Sequence, residues 1–158
     1  GAKLPDLQLG WASLTANGGH PGDPNHAAVY RWTAPVAGRF AVKGRLKHPS
    51  EHGDGVEGIL NVPSQNIVMR WPVHHDERAT DSESFHVAAG ATVDLVVDCR
   101  SNVSFDSFNW SFEITSVDNP AERYSMASQF RGVLPDELNA WEMLAQTLLL
   151  SNEFQFVD

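Results

Sequence analysis

The stretch HPSEHGDGVEG, His48 to Gly58, brings together two histidines (His48, His52), three carboxylates (Glu51, Asp54, Glu57) and a run of glycines. Such side chains can ligate a metal, hydrogen-bond a sugar, or do no more than cap a turn. A second concentration lies in VMRWPVHHDE, where Trp71 has Arg70 beside it and His74, His75, Asp76 and Glu77 just after. Sugar recognition needs an aromatic face to stack on the apolar side of a pyranose, ringed by polar groups that reach its hydroxyls. The two stretches therefore suggest a ligand-binding set of Trp71, Arg70, His52, Asp54 and His75, with Trp11 as the other candidate platform; against this, Trp71 is in register with Ile67 and Met69, and a core position is the stronger reading of it. Of the five tryptophans, Trp110 and Trp32 share parity with core residues and Trp141 falls on an apolar helical stripe.

Metal chemistry is the competing use of these residues. HPGDPNH (His20 to His26) and DCRSNVSFD (Asp98 to Asp106) place loop carboxylates and amides near the first and last core strands. Calcium takes 6–8 hard oxygen ligands, and Asp23, Asn25 and Asp106 are the expected donors for a structural calcium ion, against plain Asx turns with their side chains in water. For a transition metal the candidates are His52 with Asp54, or His74 with His75. Adjacent histidines on a strand point to opposite faces, and neither an H-x-H strand pair nor an H-E-x-x-H helix occurs. Hydrolysis has less to build on. G-x-S-x-G is absent, and although Glu51 or Glu57 with Asp76 could stand at the roughly 5–9.5 Å of a glycosidase pair, nothing in the sequence selects them. The expectation is a non-enzymatic module.

These groups sit on a chain of 158 residues, 42% hydrophobic and 20% charged, the profile of a globular domain. A net charge of −9 argues against nucleic acid, whose phosphates reward clustered Lys and Arg. No apolar run approaches the roughly 18 residues of a membrane span, and any secretion signal is expected upstream of the residues given. The single cysteine, Cys99, can form no disulfide within the chain and reads as a small buried hydrophobe.

The elements that must position the polar stretches announce themselves by a period of two. In GRFAVKGRLKH, Phe40, Val42, Gly44 and Leu46 alternate with Arg39, Lys43, Arg45 and Lys47. TVDLVVDC places Val93, Leu95, Val97 and Cys99 inward, and DSFNWSFEIT does the same with Phe108, Trp110, Phe112 and Ile114. These patterns predict half-buried antiparallel strands. Weaker strands are expected at Ala27 to Thr33, Gly55 to Val62, Asn66 to Val73 and Ser84 to Val87, with turns at APVAG, PSQ and AAG between them. Seven or eight short strands so spaced predict an all-β fold, an antiparallel two-sheet jelly-roll sandwich over residues 1–118. Residues 119–158 read as a linker and a C-terminal α-helix, amphipathic through Trp141, Leu144, Ala145 and Leu148, with Asn139 and Glu142 as a capping box. Its surplus of apolar positions, through Phe154 and Phe156, suggests the end of a neighbouring domain.

RWTAPVAG, LKHPSEHGDGV, VDLVVDCRSN and DSFNW resemble the β-sandwich module of large secreted planctomycete proteins that also carry cytochrome c-like and uncharacterised domains. The closing WEMLAQTLLLSNEFQFVD is similar to the C-terminal end of the uncharacterised domain named after planctomycete cytochromes. The resemblance covers roughly Ala27 to Asp158. It implies a periplasmic, cell-surface or secreted location, a parent chain whose other domains are partners, and kinship in outline with carbohydrate-binding jelly rolls. No haem is expected in this stretch, because C-x-x-C-H attachment needs two cysteines. The expected function is a non-catalytic, carbohydrate-binding-like accessory module whose partner is a polysaccharide or oligosaccharide. The alternative is a structural module that docks the parent's other domains without binding glycan.

Overall fold

The computed structural model describes residues 4–129, and over them the chain is an all-β sandwich of two antiparallel sheets. The long C-terminal helix expected beyond Asn139 lies outside the described residues. The smaller sheet contains β3 (Ala28–Thr33), β9 (Thr92–Asp98), β5 (Val56–Val62) and β6 (Ile67–Val73), in that spatial order. The larger runs β1 (Ser13–Thr15), β2 (Gly18–His20), β10 (Phe108–Ser116), β4 (Gly38–His48) and β7 (Asp76–Ala79). β8 (Phe85–Val87) pairs with β4 further along, and β11 (Arg123–Ser125) pairs with β10. With β7 and β8 taken as two halves of one strand, the orders β2-β10-β4-β7/β8 and β3-β9-β5-β6 are the jelly-roll connectivity expected from the strand spacing. Pairing of β11 along β10, and burial of Met126 at the start of the short helix α1 (Met126–Gln129), carry the sheet and its core past residue 118.

The alternation in the sequence became the two faces of the sheets. Phe40, Val42 and Leu46 of β4 are fully buried while Arg39, Lys43, Arg45 and Lys47 are exposed. Val93, Leu95 and Val97 of β9 fill the same core. Asp94 departs from the pattern: it sits on the outer face yet is buried, because Arg31 of the neighbouring strand lies over it in a two-pronged ion pair of 2.7 and 2.9 Å.

Trp110 stands at the centre of the core, without solvent exposure. Its ring meets Trp71 edge-on at 6.5 Å and Phe112 edge-on at 5.4 Å, and Phe112 in turn meets Tyr30 at 5.7 Å. Edge-to-face contacts of this kind add to what area burial alone supplies. The indole is also polar at one point, and its Nε1–H donates to the hydroxyl of Thr80 at 3.0 Å. Thr80 reaches inward because the edge strand bulges between β7 and β8. Arg45 pairs with Ala79 and Phe40 with Phe85, so six steps on one strand oppose five on the other. The bulge is tied down by Ser82 Oγ, which accepts from Val42 N, and by an Asp81 carboxylate oxygen, which accepts from Gly44 N. A side chain at Gly44 would meet both the Ser111 carbonyl and the Thr80 hydroxyl within 2.8 Å, which is why the alternating pattern has a glycine there.

Thr80→Val keeps the shape of the side chain and removes the acceptor, leaving a buried indole N–H without a partner. Urea unfolding is expected to show a loss of roughly 1–3 kcal/mol, whereas an unchanged midpoint would mean that Trp110 finds another acceptor.

Candidate functional site

Strand register puts four of the sheet-to-sheet connections at one end of the sandwich. Residues 21–27 lead from β2 to β3, 49–55 from β4 to β5, 74–75 from β6 to β7 and 99–107 from β9 to β10. The pairs Phe108 with Gly19, Asn109 with Lys47, Glu57 with Asp98 and Val56 with Val73 align their strand ends. Loops gathered on such a rim are where sandwich folds place variable chemistry. His52, Asp54 and His75 are all on it, as are Asp23, Asn25 and Asp106.

The stretch HPSEHGDGVEG is the crossing from one sheet to the other. Gly53 and Gly55 both adopt positive φ, +83° and +82°, a backbone that glycine enters freely. Space demands glycine as well: a Cβ on Gly53 would lie 2.5 Å from the Ser104 carbonyl, and one on Gly55 would collide with the carbonyl of Val73. The turn expected around Asp54 is therefore present, and it is pressed against loop 99–107.

His48, the first residue of that stretch, is the strut between the loops. It is fully buried. Its Nε2–H donates to the Phe105 carbonyl at 3.0 Å, and its Nδ1 accepts the His75 backbone N–H at 3.2 Å. That pairing uses the neutral tautomer, and burial, the largest influence, pushes the imidazole below its ordinary pKa. Both residues it holds have unusual backbones, His75 at φ +46° and Phe105 at φ +71°. A bulky residue at positive φ is strained and persists only where its surroundings enforce it. Phe105 is nonetheless 58% exposed, with the His52 ring 5.2 Å from its own.

Next to Phe105 in sequence is a buried carboxylate, and two half-buried ones, Asp54 and Asp98, each have one buried oxygen. Asp106 has no solvent exposure, and neither of its oxygens accepts a hydrogen bond from any described residue. His48 Nε2 is 3.8 Å away, but its proton is committed to Phe105. Asp54 accepts the Ser101 backbone N–H at 3.0 Å through one oxygen and leaves the other buried without a partner; one oxygen of Asp98 is likewise alone. Arg100, the nearby cation, donates to the Asp54 main-chain carbonyl. Burial first, and then the charges of Asp54 and Asp98, push the Asp106 carboxyl up to about 7, with Arg100 opposing. Burial also raises the thiol of Cys99, to about 11, so it stays protonated and unreactive at neutral pH.

Other expected residues are placed differently. Trp71 is 7% exposed and packs on Trp110, so of its two readings the core position holds and the ligand platform is corrected: period-two geometry turns its ring inward, in register with Val73. Arg70, one residue earlier, points to the opposite face, where it pairs with Glu57. The two cannot serve one sugar. Trp11, the other candidate platform, is 48% exposed. Asp23 and Asn25 are not brought to Asp106 by any contact. One Asp23 oxygen accepts from Asn25 N and pairs with His26 Nδ1, both at 2.8 Å, closing an Asx turn within its own loop. Sequence reasoning singled out neither Arg100 nor Phe105, and it noted His48 and Asp98 within polar stretches without assigning either to the site. The available signal was that DCRSNVSFD begins and ends with carboxylates at the ends of two strands.

Compared with protein-family models, with curated proteins and with solved structures, the chain matches none of them, and the resemblance to planctomycete modules gains no support there.

The raised Asp106 carboxyl has a thermodynamic consequence. Its folded pKa, about 7 against an ordinary 3.8, means that its contribution is fully present below the ordinary value and is lost as pH rises through 7. In metal-free buffer the wild type is expected to lose up to about 4 kcal/mol between pH 4 and 8 through this group. Asp106→Asn should flatten that part of the profile and be the more stable protein at pH 8. Parallel curves of melting temperature against pH for the two proteins would refute the assignment.

Proposed function

We propose that the protein is a non-catalytic carbohydrate-binding module that holds a neutral polysaccharide or oligosaccharide at the rim built from loops 49–55 and 99–107. The single observation that carries this reading is Phe105: a large aromatic ring kept in water, on a strained backbone that buried His48 holds in place. Structure alone gives no reason to hold an aromatic face outward at such a cost, whereas stacking on a pyranose does. His52 beside the ring, and Arg100 and Asp54, which are hydrogen-bonded to each other on the same two loops, supply polar groups for hydroxyls. The net charge of −9 favours neutral over acidic glycans. An exported, multidomain parent with a periplasmic or cell-surface location belongs to the same proposal and rests on the sequence resemblance alone.

A second reading is a docking module for other domains of the parent. The observation in its favour is the exposed apolar set Leu4, Leu7, Leu9 and Trp11, ahead of the first strand.

Affinity electrophoresis in gels containing neutral or acidic polysaccharides separates the two. Retardation by a neutral polymer, reduced at least about tenfold in affinity by Phe105→Ala and unaffected by Trp11→Ala, is expected on the glycan reading; tenfold is the scale of one lost aromatic contact of ~1.4 kcal/mol. A folded wild type that no polymer retards would leave the docking reading.

A further inference from the structure

Four carboxylate oxygens at the rim are buried and accept no hydrogen bond from any described residue: Asp54 Oδ1, Asp98 Oδ1 and both oxygens of Asp106. Native proteins pair their buried polar groups almost without exception, and an isolated buried carboxylate is among the most unfavourable groups to leave alone. Neither polar neighbour hydrogen-bonds these oxygens: Arg100, whose charge acts on Asp106, gives one N–H to the Asp54 main-chain carbonyl, and His48 gives its one N–H to Phe105. Protonating Asp106 would remove one charge, yet the single oxygens of Asp54 and Asp98 would remain.

We propose that Asp54, Asp98 and Asp106 hold a calcium ion between loops 49–55 and 99–107. Among the described residues, no group of three or more His, Cys, Asp or Glu side chains is arranged to hold a metal ion by itself. The shell would therefore be completed by backbone carbonyls and water, which calcium's larger, irregular coordination admits. The three donors are carboxylate oxygens, the hard ligands that calcium takes. Magnesium fits less well, because it keeps several of its waters and the free carboxylate oxygens lie in a buried space. The ion would tie the crossing into β5 and the end of β9 to the segment entering β10, and so brace Phe105, which is next to Asp106 in sequence. The expected donors change accordingly: Asp106 remains, while Asp54 and Asp98 replace Asp23 and Asn25. The proposal does not rest on glycan binding, and its test contains no glycan.

The test uses the full chain, freed of metal with a chelator and titrated with calcium chloride, followed by calorimetry and by thermal unfolding. Saturable binding at one site is expected, with a rise in melting temperature of roughly 5–10 °C at a hundredfold excess over Kd. Magnesium should bind at least about tenfold more weakly. Asp106→Asn and Asp98→Asn should each weaken calcium at least about tenfold, whereas Asp23→Asn should leave it unchanged. Because Asp106→Asn removes an unpaired buried charge, it folds without metal, and circular dichroism verifies this; Asp98→Asn is the second, independent probe. Absence of both heat and a melting shift up to roughly 10 mM calcium, above the range of extracellular calcium modules, would overturn the proposal. So would affinity that survives Asp106→Asn, or tighter binding of magnesium than of calcium.

Discussion

The hydrogen bond from the Trp110 indole to the Thr80 hydroxyl is the constraint around which the sandwich is arranged. A tryptophan fills the space between two sheets better than any other residue, but it brings an N–H that must find an acceptor in an apolar interior. Thr80 supplies it from an edge strand, and the edge strand can deliver it only by bulging. The bulge divides that strand into β7 and β8, uses Asp81 and Ser82 to occupy the backbone groups of β4 that lose their ladder partners, and needs the bare backbone of Gly44 opposite. An interrupted edge is also a poor template for pairing with another chain. One polar atom in the core thus accounts for the irregularity of one side of the larger sheet.

The rim is built on the opposite principle. Where the core satisfies its polar atom, the loops above it leave several unsatisfied. His48 continues β4 inward and is as buried as Leu46, but it spends both ring nitrogens on the backbones of other loops, at Phe105 and His75. Its neutrality matters, because a charged imidazole would have no acceptor for its second proton where the His75 N–H now points. The same strut that holds Phe105 outward leaves Asp106 without a donor. Strained backbone and unpaired charge therefore occur together, at the end of the sandwich where the sheet-to-sheet loops converge. That is the pattern expected where folding stability has been given up for binding.

Much of the framework was legible in the residues, and much of the site was not. Alternation in GRFAVKGRLKH, TVDLVVDC and DSFNWSFEIT determined three strands and the face each turns to the core, because the side-chain period of a strand is two whatever surrounds it. The spacing of the turns then determined the jelly-roll class, and the glycines around Asp54 determined a turn of positive φ. Parity even contained the fate of Trp71, in register with Ile67 and Met69, although the polar residues beside it suggested a ligand platform. Short strands with weak patterns, β1, β2, β7 and β11, exist through their partners and could not be read locally. Which carboxylates meet was likewise a tertiary decision. Asp23, Asn25 and Asp106 share a rim, but Asp23 turns back on its own loop, while Asp54, in the crossing into β5, and Asp98, at the end of β9, lie near enough for their charges to act on Asp106, because β5 pairs with β9. Sequence determines what each residue can offer and which way a strand turns it; only the pairing of β5 with β9 in one sheet and of β4 with β10 in the other decides which offers coincide, since contact between loops depends on register summed over both sheets.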